Sequence, residues 1–273
     1  MGASVIISTY AAPRELDLAL CGLSRQSTFP DEVLVADDGS GVETNGIVKK
    51  WSHNLPFPLK HCWQEDRGYR KSRIVNEAVR QSNGDHLIFL DGDSFPHKDW
   101  VADHLVAADS ERVLCGRRVK LGPNISARVS REQVLSGFFD KPWGLVGNAI
   151  SGRTKRLPLG VRLPAWLARL FHPRPRRLMG VNFSLPRETF LSVNGHNEDW
   201  TFYGREDLDL EIRLKRFGSP FFPLLNRGIV FHLHHTERSR SEEVEALIRE
   251  TEGSGSIRCL NGIECEIPFD PAG

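Results

Sequence analysis

Asp91-Gly92-Asp93 follows His86-Leu87-Ile88-Phe89-Leu90, an apolar run that reads as a buried strand. In extended chain, residues two apart project to the same side, so both carboxylates can face one ligand, and the glycine between them removes steric cover. Two hard oxygen donors suit Mg²⁺ or Mn²⁺ that keeps other positions open for phosphate oxygens. An ion held there neutralises charge as a diphosphate departs. Asp-Gly-Asp by itself is also an ordinary turn, and its place after a buried strand is what favours the ligand reading.

Two further groups of residues can do chemistry. Glu206 and Asp207 fall in the first turn of a helical pattern running from Arg205 to Phe217, where the helix dipole favours ionised carboxylates. Acids at a helix start can simply complement that dipole, yet a rigid helix start can also aim a general base into a cleft. His232, His234 and His235 end an apolar strand. Alternation puts His232 and His234 on one face, so either can reach a metal as neutral imidazole. No cysteine lies at ligand spacing nearby, which argues against a zinc site.

These residues depend on elements that the chain spells out in alternation, which predicts an α/β fold with a sheet fed by crossover helices. Val5-Ile6-Ile7 is the first strand, and Pro13 opens a helix carrying Leu16, Leu20 and Leu23. Glu32-Val33-Leu34-Val35-Ala36 is the second strand and ends in Asp37-Asp38-Gly39-Ser40. A third spans Leu59 to Cys62, and a helix follows from Lys71 to Gln81. Beyond the fourth strand, the pattern predicts a helix from Trp100 to Ala108, a strand around Val113 to Val119, and order again at Met179 to Leu185. Gly218 stops the Arg205 to Phe217 helix, Gly228 to His235 reads as a last strand, and a polar helix begins near Ser241. Ser8-Thr9-Tyr10, Asp37-Asp38-Gly39-Ser40 and Asp91-Gly92-Asp93 all sit just beyond carboxyl ends of strands. In open α/β sheets that edge is the ligand crevice, so these motifs are expected to share one cleft.

Composition narrows the partners. The 273 residues are 40% hydrophobic, enough to bury a full core in a single domain. Thirty-six Lys plus Arg balance 35 Asp plus Glu, so charge makes no general case for nucleic acid. The scattered Cys21, Cys62, Cys115, Cys259 and Cys265 fit neither a disulfide framework nor a zinc ribbon and point to a reducing compartment. No signal-peptide pattern and no apolar run of ~20 residues is present, so the expected place is the cytoplasm, or the inner surface of a membrane.

Taken in order, the motifs resemble family 2 glycosyltransferases of the GT-A fold, in detail the bacterial chondroitin-polymerase-type and galactosyltransferase-like enzymes. The resemblance rests on Val5-Ile6-Ile7-Ser8-Thr9-Tyr10, Asp37-Asp38-Gly39-Ser40, the Gln64 to Asn76 stretch and Leu90-Asp91-Gly92-Asp93. It continues through Val181-Asn182-Phe183-Ser184, Gly204-Arg205-Glu206-Asp207-Leu208-Asp209-Leu210 and Phe231-His232-Leu233-His234-His235. It implies a Rossmann-like mixed sheet flanked by helices, with a nucleotide-sugar half over 1–120 and an acceptor half over 121–273. It implies that Thr9, Tyr10 and Asp38 hold a nucleoside, usually uridine, and that Arg67, Tyr69 and Arg73 line the donor site beside Asp91 and Gly92. Asp93 becomes the principal carboxylate on Mn²⁺ or Mg²⁺, His232 the late histidine ligand with His234 its competitor, Asp207 the base and Glu206 the residue that positions the acceptor. Direct displacement with inversion follows from a base in line behind the acceptor hydroxyl. A glycan or lipid-linked acceptor of a surface polysaccharide or lipopolysaccharide is the family's expectation.

One segment departs from that pattern. From Lys141 to Arg187 no acidic residue occurs, while Arg153, Lys155, Arg156, Arg162, Arg169, Arg174, Arg176 and Arg177 interleave with Trp143, Trp166, Leu167, Leu170 and Phe171. That mixture suits either a solvated loop region or an element meeting an anionic membrane surface. Two other functions fit the sequence less well than glycosyl transfer. A nucleotidyltransferase lacks support because no phosphate-cradling glycine loop with a following lysine is present. A non-catalytic carbohydrate-binding relative would have no need of Asp91, Asp93, Asp207 and His232 together.

Overall fold

The computed structural model describes residues 2–141, 155–236 and 242–264. Their framework is a seven-stranded mixed sheet in the order β3-β2-β1-β4-β8-β6-β9, with a small sheet β5-β10-β7 beside it. The strands are β1 (Ala3–Thr9), β2 (Glu32–Asp37), β3 (Leu59–Trp63), β4 (His86–Asp91), β5 (Ser94–Pro96), β6 (Val113–Cys115), β7 (Arg118–Lys120), β8 (Asn182–Pro186), β9 (Phe221–Pro223) and β10 (Val230–His232). The first helices are α1 (Pro13–Ser24), α2 (Val42–Ser52), α3 (Lys71–Arg80) and α4 (Trp100–Ala107). Strands β1 to β4 run parallel, and β8 enters antiparallel to β4.

The unbroken apolar runs of the early strands follow from burial on both faces of the sheet. Val5, Ile7, Val33, Val35, Ile88 and Leu90 point into one core with Leu16, Leu20 and Leu23 of α1. Ile6, Leu34, Leu87 and Phe89 point into the other, against Ile74, Val75 and Ala78 of α3. Alternation thus divides each strand between two cores instead of between core and water.

The structure corrects two sequence expectations about strands. The run from Val113 to Val119 is two strands in different sheets: the first ladder ends where the Gly116 N–H donates to the Asn182 carbonyl at 3.0 Å, and Arg117 carries the chain across. A Cβ at Gly116 would lie 2.3 Å from the Asn182 amide, so only glycine fits that approach. The run from Gly228 to His235 pairs only over Val230–His232. Asn182 ties the sheets together: its Nδ2 donates to the Arg117 and Gly228 carbonyls at 2.9 and 2.8 Å, and its Oδ1 accepts from Trp100 Nε1 at 3.0 Å.

The Glu206–Phe217 helix, which carries the candidate acids, is anchored from below by Arg213. This guanidinium is 2% exposed, donates to Asp209 and reaches the Val193 and Gly195 carbonyls at 2.6 and 2.8 Å. Glu211 accepts from the Leu178 backbone at 2.7 Å, and Thr251 of the Glu242–Ser254 helix donates to Asp209 at 2.8 Å. Gly218 stops the helix in the left-handed region at φ 92°, as its position predicts. Removing one partner leaves the other charge buried and uncompensated. Asp209→Ala is therefore expected to lower unfolding free energy by roughly 3–5 kcal/mol in urea denaturation; a loss within ~0.5 kcal/mol, the scale of a surface substitution, would show that this pair does not anchor the helix.

Candidate active site

A cavity of about 630 Å³ opens beyond the carboxyl ends of β1, β2 and β4. Ser8, Thr9, Tyr10, Asp38, Gly68, Tyr69, Lys71, Asp91, Gly92 and Asp93 line it from the first half of the chain. Arg118, Tyr203 and the His232–Thr236 run line it from the second. Asp38 is fixed by three contacts: its N–H donates to the Thr9 carbonyl at 3.0 Å, and its carboxylate accepts from Gln64 Nε2 at 2.6 Å and Arg70 N at 2.9 Å. Burial pushes its carboxyl above the usual range, although those hydrogen bonds act the other way. Thr9 Oγ1 is buried without a partner among the described residues, a polar atom that a ligand in the cavity can satisfy. Gly92 lies against this spot, and a Cβ there would come 3.2 Å from Thr9 Oγ1. Tyr10 is held by its hydroxyl, which donates to Asp66 at 2.8 Å.

Arg67 and Arg73 stand apart from that wall. Arg67 pairs with Glu65 at 2.9 Å on the surface, and Arg73 donates to Gln64 Oε1 at 3.2 Å. Neither lines the cavity; Arg73 acts on it through Gln64, which holds Asp38.

Asp91 and Asp93 part company, because β4 ends at Asp91 and the chain turns there, so strand alternation no longer applies. Asp91 accepts from Ser8 Oγ at 2.9 Å and Lys71 Nζ at 2.8 Å. Asp93 faces histidines instead. Its Oδ2 lies 3.3 Å from Nε2 of both His232 and His235. Alternation fails here as well: β10 stops at His232, and the turn brings His235 to Asp93 in place of His234. His234 lines the cavity, with its backbone N–H on Ser126 Oγ at 2.8 Å. Burial alone would push the Asp93 carboxyl up, but hydrogen bonds and charge from the two imidazoles outweigh it and hold it far below the carboxylate range.

The donor set of Asp93, His232 and His235 fits a divalent cation. With ligand atoms at ~2.0–2.2 Å from an ion, the 3.3 Å between the Asp93 carboxylate and each imidazole subtends roughly 100° at it, an ordinary coordination angle. Three protein ligands leave positions open for phosphate oxygens, and two nitrogens suit Mn²⁺ better than Mg²⁺.

Across the cavity, Lys71 at the start of α3 spans two acids. Its Nζ lies 2.8 Å from Asp91 Oδ1 and 3.3 Å from Glu206 Oε1. Burial disfavours the charged amine, yet Asp91 and Glu206 hold it well above the ordinary lysine range, so it stays an ammonium. Burial raises the Tyr69 phenol, which also bonds to Glu206, and Tyr69 packs edge-on to Tyr203 at 5.8 Å. Asp207 accepts from the Gly180 N–H at 3.2 Å and lines a small adjoining cavity that shares Ser8 and Lys71 with the large one. Burial first, and then the charge of Glu206, push its carboxyl up to about 6. A carboxyl so placed is a base near neutral pH.

A sequence model described as glycosyl transferase family 2 matches residues 4–166, more than half of the chain. The chain belongs to that family. A second model, the N-terminal domain of galactosyltransferase, matches residues 170–236, the part bearing Asp207 and the histidines. Validoxylamine A glucosyltransferase of Streptomyces hygroscopicus subsp. limoneus is 31% identical over 233 residues, 80% of this chain and 48% of that protein. Chondroitin synthase of Pasteurella multocida is 28% identical over 257 residues, 90% of this chain and 26% of the other. The chain thus spans half or less of the length of these relatives. S. aureus TarS 1-349 in complex with UDP superposes with a TM-score of 0.58 at 18% identity, covering 93% of this chain and 65% of that one. The mannosyltransferase PcManGT of Pyrobaculum calidifontis, solved with GDP-Man and Mn²⁺, gives 0.55 at 16% identity over 93% and 69%. These likenesses establish the GT-A fold.

Among the lining residues of this family 2 chain that carry no role in the sequence pattern are Lys71, Arg118, Tyr203 and His235. Arg118 is the least anticipated. It lies on the small sheet opposite Val230, two positions from the Lys120–His232 pair and so on the face that carries His232, and its Nε is buried with no partner among the described residues. Its signal was hidden because the run from Val113 to Val119 reads as one strand.

A buried carboxyl whose folded-state value is raised gives stability that is present below its unfolded value, ordinarily near 4, and lost as pH rises through about 6. Asp207→Asn is therefore expected to be more stable than the parent by ~1–2 kcal/mol at pH 7.5 and indistinguishable from it at pH 4. Urea denaturation at the two pH values checks this, and a variant that is less stable at pH 7.5 would contradict the raised value.

Proposed function

We propose that this protein is an inverting, divalent-metal-dependent glycosyltransferase that moves a sugar from a UDP-sugar to a hydroxyl of a glycan or glycolipid acceptor, in synthesis of a bacterial surface polysaccharide or lipopolysaccharide. The observation that carries the reading is a cavity with Asp93, His232 and His235 on one wall and Asp91 with Lys71 on the other, where Lys71 also pairs with Glu206 of the adjoining small cavity that holds Asp207. Support for a UDP-linked donor comes from the UDP complex of a fold relative, and support for Mn²⁺ from the GDP-Man and Mn²⁺ complex of another.

In this reading Thr9 Oγ1 and Asp38 bind the nucleoside, with Tyr10 beside them. Asp93, His232 and His235 would hold Mn²⁺ or Mg²⁺, which supplies counter-charge for the diphosphate. Arg118 adds a fixed cation on the same side. Glu206, set by Lys71 and Tyr69, orients the acceptor hydroxyl, and Asp207 takes its proton. The bond from the anomeric carbon to the diphosphate oxygen breaks as the acceptor oxygen bonds the opposite face, so the configuration inverts. With its carboxyl near 6, Asp207 is ionised above that pH, and the rate is expected to fall as pH drops through about 6.

The test is UDP release from a panel of UDP-sugars with Mn²⁺, since slow hydrolysis of the right donor needs no acceptor. Asp93→Ala is expected to abolish metal-dependent donor binding. Asp207→Ala is expected to keep donor binding and cut transfer by ~10²–10⁴-fold. Turnover by no donor, or hydrolysis unchanged by EDTA and by Asp93→Ala, would sink the reading. Arg118→Met is expected to weaken UDP about tenfold or more while leaving uridine binding unchanged, as loss of a charged hydrogen bond to phosphate requires; calorimetry with both ligands checks it.

A further inference from the structure

The helix Ala165–Phe171 is inverted relative to an ordinary surface helix. Ala168, its smallest inward residue, is 5% exposed, while Trp166, Leu170 and Phe171 are 70%, 67% and 63% exposed. At helical spacing these three and Leu167 fall on one face about 140° wide, so the apolar side faces water. The helix is nevertheless firmly seated. Arg169 stacks over Phe222 at 5.5 Å, His172 bonds to Asn226 at 2.8 Å, and the Leu163 N–H donates to the Asn226 carbonyl at 3.0 Å. Directly after it come Arg174, Arg176 and Arg177, all exposed, and among the described residues no carboxylate pairs with them.

We propose that this helix and the arginines after it form an interfacial anchor that seats the protein on a bilayer containing anionic lipid. Trp166, Leu170 and Phe171 enter the acyl boundary while Arg174, Arg176 and Arg177 meet the head-group phosphates. Charge complementarity selects this occupant over a neutral one, because the segment is cationic and free of acids from residue 155 to 187. The anchor is coupled to the active site. Leu178, next to Arg177, donates its N–H to Glu211, and Gly180, at most about 11 Å of chain from Arg177, holds Asp207. The anchor is thus tied to the backbone that holds Asp207 by three residues of chain, which suits a lipid-linked acceptor; that consequence rests on the glycosyl-transfer reading, whereas the lipid contact does not.

Co-sedimentation of the full chain with vesicles tests it. The protein is expected to bind phosphatidylglycerol–phosphatidylethanolamine vesicles and not pure phosphatidylcholine, with binding that weakens as salt rises. The Trp166→Ser, Leu170→Ser, Phe171→Ser triple variant is expected to lose at least tenfold in partition. Arg174→Ala, Arg176→Ala, Arg177→Ala is expected to lose about 100-fold and much of the salt dependence, since each surface cation contributes about fivefold. Both variants should keep the parent's melting temperature and its UDP release. Equal binding to neutral vesicles, unaltered binding by the variants, or a dimer in sedimentation velocity that the apolar triple variant dissolves would overturn the proposal. UDP release failing while vesicle binding persists counts against glycosyl transfer alone.

Discussion

One ammonium lets the acids of this molecule share the end of a sheet. Glu206 and Asp91 stand close enough to Asp207 to help raise its carboxyl, and Lys71 is the cation set among the three. It bonds to Asp91 of β4 and to Glu206 of the late helix, so it joins the nucleotide-side strands to the element that carries the candidate base. Its charge covers two of the acids more closely than the third. Asp207, relieved chiefly by the Gly180 N–H, keeps an elevated value that suits it to accept a proton. Three contacts of the second half hold that helix in place. Arg213 fixes the helix from its buried side, Glu211 ties it to the Leu178 backbone, and the Glu242–Ser254 helix docks through Thr251.

The small sheet does a comparable job for the other wall. Ser94 and His232 are partners in the antiparallel register of β5 and β10, so Asp93 and His232 meet because their strands pair. The Leu233 N–H donates to the Asp93 carbonyl at 2.9 Å and closes the ladder at that spot. Asn182 then links this sheet to β8, so the histidine wall and the base wall are braced by one residue.

Much of this was legible in the chain, for physical reasons that differ by element. Strands β1, β2 and β4 are buried on both faces and so are written as unbroken apolar runs. Helix limits at Pro13 and Gly218 are written in residues whose backbone permits little else. Strands of three residues such as β5 and β9 have no period to detect, and β6 and β7 look continuous because a change of sheet leaves no trace in composition. Among candidate site residues, the spacing that marks Asp93 and His232 is local. The choice of His235 over His234 depends on where β10 stops, and Arg67 and Arg73 look alike in sequence though only the second connects to the cavity, through Gln64. Lys71 was one of 36 cations, and nothing local says which of them a folded chain will spend on Asp91.

The pairing of β5 with β10 has an implication for how the molecule comes into being. Asp93 and its two imidazoles are separated by well over a hundred residues of sequence, so a chain emerging from the ribosome offers the lone carboxylate long before the histidines exist. If these three residues hold an ion as proposed, that competence would arrive late and all at once, with the docking of one short strand. On the proposed reading, the first-half residues alone would lack the ion that helps a diphosphate leave.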